Sequence, residues 1–149
     1  MQSSFERLEV NVREALASDA RRIAALALQL GYDVTIAHVE TFLAARTNER
    51  ELFVAVVPRA GVVGWIGAHA SAPLTAAKHA VVDGLVVEDE YRGVRVGEAL
   101  LQRVEAWARA RECTAVRLRA NVVRERAHEF YRRHGYAVLK TQHLFAKSL

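Results

Sequence analysis

The stretch from Ala80 to Ala110 constrains the fold more than any other part of the chain. It opens with AVVDGLVV, an almost continuous apolar run broken only by Asp83 and Gly84. An acidic cluster, Glu88 to Glu90, and a turn with Gly93 and Gly97 follow. The period then becomes helical, with Val96, Leu100, Val104 and Trp107 on one stripe and Ala99 and Ala108 beside it. A strand apolar on both sides is central and needs cover on both faces of its sheet. That requirement favours one mixed α/β layer structure.

The flanking segments supply the layers. Leu8, Val10 and Val12 alternate with Glu9, Asn11 and Arg13, which predicts a strand over 8–13. Ser18 or Asp19 is positioned to cap a helix carrying Ile23, Leu26, Ala27 and Leu30, and Gly31 ends it. A second helix from about Thr35 to Asn48 buries Val39, Phe42 and Leu43. LFVAVV and VVGWIGAHA read as a hairpin turning at Pro58 to Gly61. Beyond the long helix, Ala115 to Ala120 reads as a strand, Arg124 to His134 as a helix stopped by Gly135, and Ala137 to Leu144 as a last strand. The expected order is strand, two helices, three strands, helix, strand, helix, strand, in a single domain over 1–149.

Length and composition narrow the class. A chain of 149 residues, 52% of them hydrophobic, holds a full core without metals or cross-links, because a domain of this size buries roughly 70% of its unfolded surface. Cys113 is the sole cysteine, which excludes an intrachain disulfide and a multi-cysteine zinc site; it reads as a small buried residue. The six histidines show no HxxxH or HExxH spacing, so no metal is expected. No apolar run reaches the roughly 20 residues of a bilayer span, and MQSSFERLEV lacks a secretion pattern. A cytoplasmic protein without a membrane partner is the expectation.

The formal net charge of +4 conceals a divided chain. Residues 1–90 carry 8 basic and 12 acidic side chains, whereas residues 91–149 carry 13 and 5. A basic carboxyl-terminal half suggests a polyanionic partner: a nucleic acid, an anionic membrane or a phosphorylated cofactor. Nucleic-acid binding would need aromatics interleaved with the basic residues. Only 7% of the chain is aromatic, mostly at core spacing, so no nucleic-acid partner is expected.

The glycine turn offers the better use for that charge. A strand feeding a helix through glycines aims several backbone amides and the positive end of the helix dipole at one point, which favours phosphate. Arg92 and Arg95 add formal positive charge there. By spacing alone, a plain strand-to-helix connection fits equally well. The turn is neither a GxxxxGK[ST] loop nor a GxGxxG turn.

The run LVVEDEYRGVRVGEALL, followed about twenty residues later by NVVRERAHEFYRRHGY, resembles the Gcn5-related N-acetyltransferase (GNAT) superfamily. The specific match covers Val82 to Val138, and the upstream element order agrees with the family's amino-terminal half. The resemblance implies acetyl transfer from acetyl coenzyme A to an amine by direct attack. It implies a mixed, mostly antiparallel sheet splayed at its centre and flanked by about four helices. On the family's Q/R-x-x-G-x-G/A signature, Arg92 takes the first position and Gly97 the last, and the amides of Arg92, Gly93, Val94, Arg95, Val96, Gly97 and Glu98 are implied to hold the pyrophosphate. Arg95 replaces the middle glycine. Glycine lets backbone and phosphate approach with no Cβ between them, so the arginine must point outward or the loop must shift. Its guanidinium offers compensation by charge-assisted hydrogen bonding; the opposite reading is a module that has lost cofactor affinity.

The resemblance assigns further roles. Backbone amides of Leu85, Val86 and Val87 would bind the acetyl carbonyl and the pantetheine arm, while their side chains read as core. Tyr131 is the implied general acid for the departing thiolate, with packing beside Phe130 and Ala127 as the alternative. Asn121, ten residues earlier, is the implied contact to the cofactor arm, or else a cap or turn residue. Asp83 is conspicuous on its own, since an acid inside an apolar strand is costly unless it is paired or faces a cleft. Near this point family members often carry a glutamate that takes the amine proton directly or through water. Being shorter by one methylene, Asp83 would act through water; a structural bridge to an arginine is the alternative.

Tyr32, Asp33 and the segment Ser71 to His79 occupy positions that shape the acceptor pocket in such folds. His79 and His69 lie near that pocket and are candidates to take part in proton removal, with surface or core packing as their default. A small cationic amine, an aminoglycoside-like compound or a protein amine all fit as acceptor, and family members are often homodimers. The competing expectation is a non-catalytic acyl-coenzyme A-binding or regulatory module.

Overall fold

A computed structural model describes residues 9–93, 95–120 and 125–149. The chain divides into two compact units, Met1–Leu118 and Arg119–Leu149. In the first, β1 (Asn11–Glu14) is followed by a short 3-10 turn (Ala17–Asp19), α1 (Ala20–Gln29) and α2 (Ile36–Ala44). Next come β2 (Arg50–Val57), β3 (Gly61–Ser71), β4 (His79–Val87), a second 3-10 turn (Asp89–Tyr91), α3 (Val96–Ala110) and β5 (Val116–Leu118). The five strands form one sheet in chain order; every neighbouring pair is antiparallel except β4 and β5, which run parallel. The sheet is therefore mixed and mostly antiparallel, in an α/β fold with four helices among the described residues.

Neighbouring residues of β3 show how both faces are covered. The Trp65 indole donates to the Ile23 carbonyl of α1 at 3.2 Å. At Gly64, one step along the strand, an added Cβ would lie 3.3 Å from Val96 and 3.2 Å from Leu100 of α3. Adjacent side chains of a strand point to opposite faces, so α1 and α3 lie on opposite sides of the sheet. The α1 side packs Ile23, Leu26 and Val39 against Leu52, Val54 and Val86. On the other side Val96, Leu100, Val104 and Trp107 are buried along the stripe that the sequence predicts, and Leu101 is buried beside them. Each fully buried Leu or Val of this kind contributes about 1.5–3 kcal/mol relative to exposure.

The helix ends follow local chemistry. The Thr35 hydroxyl caps α2 by accepting from the His38 amide at 3.0 Å, and that helix stops at Ala44, short of the expected Asn48. Asp19 occupies the cap position of α1 without capping it. Its carboxylate turns back to accept from the Leu16 amide at 2.8 Å and from the two terminal Arg13 guanidinium nitrogens, at 2.7 and 3.1 Å. That bidentate bond holds the Asp19 carboxyl below the usual carboxylate range, against the opposing effect of burial. At the far end of α1, Gly31 (φ +82°) donates to Leu28, and Tyr32 donates to Ala27, the paired bonds of a Schellman stop. Glu112 takes the same left-handed place after α3, at φ +61°, with Glu112 donating to Arg109 and Cys113 to Ala108.

The second unit contains α4 (Glu125–Arg133). Gly135 (φ +91°) donates to Arg132, and Tyr136 donates to Tyr131 at 2.9 Å, so this helix also closes on a Schellman pair. Residues 137–149 form no strand and are exposed, which corrects the expected strand over Ala137 to Leu144. Their apolar residues do not alternate cleanly: Val138 and Leu139 are neighbours, as are Leu144 and Phe145. A strand is defined by its ladder partner, and these residues have none among the described residues.

Candidate functional site

Two irregularities of β4 build the site. The first is a bulge: Ala68 pairs with Val82 and Gly67 with Gly84, leaving Asp83 as the extra residue. The two residues that interrupt the apolar run in the sequence are thus where the strand itself is interrupted. The second is a parting from β5, which pairs only with Ala80, Val81 and Val82. Glu88 donates its amide to Val63 on β3. Strand alternation therefore turns the amides of Val87 and Leu85 to the opposite edge, and there β4 has no strand partner among the described residues beyond Val82.

The chain leaves that edge through the glycine turn. Gln29 and Arg92 both donate to the Val87 carbonyl, at 3.3 and 3.4 Å, and Arg92 also pairs with Asp89 at 3.0 Å. Arg92 thus holds the turn's own backbone. Gly93 has φ +82°, and Arg95, the residue preceding α3, has φ +71° and ψ +12°. The need for glycine at this position is a left-handed backbone, which Arg95 adopts while its residue stays exposed. The first intrahelical bond runs from Ala99 to the Arg95 carbonyl, so the amides of Val96, Gly97 and Glu98 precede it, at the positive end of a helix of 15 residues. Val94 and Asn121 lie outside the described residues.

An open cleft of about 700 Å³ lies at the bulge, lined by Phe42, Ala45, Thr47, Glu49, Arg50, His69 and Asp83. His69 Nδ1 is 2.9 and 3.0 Å from the two Asp83 carboxylate oxygens. The Arg50 guanidinium lies 4.8 Å over the Phe42 ring, and Glu49 pairs with Lys78 at 3.4 Å. The acid picked out in the sequence therefore faces a cleft, and its partner is a histidine where an arginine was the alternative. His79 behaves differently: it is buried, with Nδ1 donating to the Ala77 carbonyl at 2.9 Å. Tyr32 and Asp33 are exposed in the connection after α1 and are not among the residues lining this cleft. Sequence reasoning missed Glu49, Arg50 and Phe42; the hairpin register that brings Arg50 opposite His69 was the available signal.

In the second unit, Tyr131 packs edge-on against Phe130 and Tyr136, with ring centroids 5.3 and 6.0 Å away. The Schellman bond between Tyr136 and the Tyr131 carbonyl fixes the second contact. Among the described residues no group of three or more His, Cys, Asp or Glu could hold a metal ion, and no helix is long and apolar enough to cross a membrane.

Solved structures share this architecture. The chain superimposes on an aminoglycoside 6'-N-acetyltransferase from Acinetobacter baumannii with a TM-score of 0.82 at 20% identity, covering 95% of this chain and 99% of that one. A ribosomal-protein-alanine N-acetyltransferase from Brucella melitensis gives 0.75 at 21%, with 94% and 100% covered. A glucosamine-6-phosphate N-acetyltransferase from Arabidopsis thaliana gives 0.78 at 16%, with 94% and 99% covered. No curated protein matches the chain by sequence. The model of the acetyltransferase (GNAT) family matches residues 14–136, and with a mixed sheet that parts after Val82 and a left-handed turn into α3, the chain belongs to the GNAT acetyltransferase family.

Proposed function

We propose that this chain is an N-acetyltransferase that uses acetyl coenzyme A and a primary amine. The observation that carries the reading is the end of the β4–β5 pairing at Val82, on the strand that leads through the glycine turn into the amino terminus of α3. An edge with outward amides at Leu85 and Val87 suits an amide-rich arm that adds on like a missing strand. The turn from Arg92 to Glu98, with Arg95 exposed beside it, suits a pyrophosphate. Val86, whose side chain is buried in the core, turns its backbone toward β3 by the same alternation and so lies off this edge, a correction to its expected role; Val94 and Asn121 are further contacts implied by family resemblance.

Acetyl coenzyme A supplies a thioester whose carbonyl carbon is the electrophile and whose sulfur is the leaving group. The β4 amides stabilise the negative charge that gathers on the carbonyl oxygen during attack, an effect typically worth 10²- to 10³-fold per donor. The family resemblance assigns to Tyr131 the proton for the leaving sulfur. Asp83, on the cleft side of the bulge, serves the removal of the proton from the amine. Glu49 and Asp83 give the cleft two carboxylates, which supports an acceptor that arrives as a cation; Tyr32, Asp33 and His79 complete its surroundings. The related proteins named above carry three different amine acceptors in their names, so the acceptor must be found by assay.

Calorimetry with coenzyme A, followed by thiol release from acetyl coenzyme A across aminoglycosides, polyamines, amino acids and peptides, tests the proposal. Binding with acceptor-dependent release is expected. Binding without release from any acceptor would leave a non-catalytic coenzyme A module, and absence of binding would end both readings.

A further inference from the structure

The geometry points to His69 as the group that takes the proton from the acceptor amine, with Asp83 as the residue that positions it. This inference rests on the acetyltransferase reading of the cleft and goes beyond it by dividing the work between two side chains.

The argument begins with donor and acceptor chemistry. An ionised carboxylate can only accept hydrogen bonds, so the contact between Asp83 and His69 Nδ1 requires the proton on Nδ1. In the neutral imidazole that leaves Nε2 as a bare lone pair. With Nδ1 2.9 and 3.0 Å from the two carboxylate oxygens, the ring is held by its back edge. The bulge is what makes this possible: Asp83 is the residue added between Val82 and Gly84, opposite the strand segment that carries His69. Both side chains line the cleft and both are partly solvent-accessible, at 41% and 46%. A polar contact this exposed adds little stability.

The other charged groups facing His69 are Arg50, its register partner on β2, and Glu49, which pairs with Lys78. From α2 the cleft receives the Phe42 ring, which carries no charge. Asp83 is thus the carboxylate that touches the imidazole. In the step itself one N–H bond of the acceptor's ammonium group breaks and an Nε2–H bond forms, leaving the neutral amine. The electron pair stays on nitrogen for attack, and the resulting imidazolium is neutralised by the Asp83 carboxylate. The proton then passes from the exposed ring to water.

The test compares wild type, His69→Gln, Asp83→Asn and Asp83→Glu, measuring thiol release against pH with the best acceptor. Wild type should lose kcat/KM toward acid, because a protonated Nε2 cannot accept. His69→Gln should lower kcat roughly 10²-fold and abolish that acid limb, with coenzyme A affinity unchanged. Asp83→Asn should lower kcat with little change in acceptor KM, and Asp83→Glu should restore part of it. A 15N correlation spectrum of wild type should show the His69 signal, identified by its loss in His69→Gln, with Nδ1 protonated and Nε2 bare. Full turnover or a persisting acid limb in His69→Gln, or a proton on Nε2, overturns the dyad and leaves the acetyltransferase standing. A wild type that releases no thiol with any acceptor overturns both.

Discussion

Gly93 and Arg95, two residues apart in the turn before α3, both hold left-handed backbone, at φ +82° and +71°. Glycine adopts this conformation without strain, whereas a side chain there costs roughly 1–2 kcal/mol. The larger flexibility of glycine in the unfolded chain cancels part of the difference. Arg95→Gly should therefore raise stability by up to about 1 kcal/mol, read from the urea midpoint. Arg95→Ala separates charge from conformation: it keeps the strain and removes the guanidinium. Weaker coenzyme A binding in the alanine variant, with a shallower salt dependence, is the expected result.

Glu112 gives an independent check of the same physics away from the turn. It occupies the left-handed position of the stop after α3, where Gly31 and Gly135 serve α1 and α4. Glu112→Gly should stabilise by up to about 1 kcal/mol, with no effect on coenzyme A affinity. An unchanged urea midpoint would show that Glu112 gains compensating contacts in the folded state.

The Asp19 carboxylate ties β1 to the start of α1 through Arg13 and the Leu16 amide. Because the Arg13 bond lowers its pKa on folding, the unfolded chain binds the proton more readily. The stabilisation is complete above the ordinary carboxylate value near 4 and disappears as pH falls through the lower folded value. Asp19→Asn should cost about 1–2 kcal/mol at neutral pH, and the gap to wild type should close in acid. A gap independent of pH would assign the effect to lost geometry.

Tyr131→Phe keeps the ring that packs on Phe130 and Tyr136 and deletes only the hydroxyl. Thiol release should fall roughly 10²-fold with coenzyme A affinity intact. Full turnover in this variant would remove Tyr131 as the acid.

Much of the first unit was legible in the residues. The stripe from Val96 to Trp107 and the hairpin around Pro58 to Gly61 follow from periodicity and turn chemistry, which act locally. The bulge did not follow from them. Asp83 and Gly84 were visible as a break, but a break says nothing about how one strand slips against its neighbour, and that slip chooses His69 as the partner. At Arg95 the sequence poses a question of room for a Cβ, whereas the backbone angle is the controlling quantity. The expected strand over Ala137 to Leu144 failed for a related reason. Apolar content alone cannot supply a ladder partner.

The end of the β4–β5 pairing at Val82 leaves the edge donors of Leu85 and Val87 on the main chain, where nineteen of the twenty amino acids provide the same N–H. Such a surface is nearly invisible to side-chain mutagenesis and drifts freely in sequence without loss. Only proline, which has no N–H to give, erases a donor there, so proline at 85 or 87 is the substitution that would silence it.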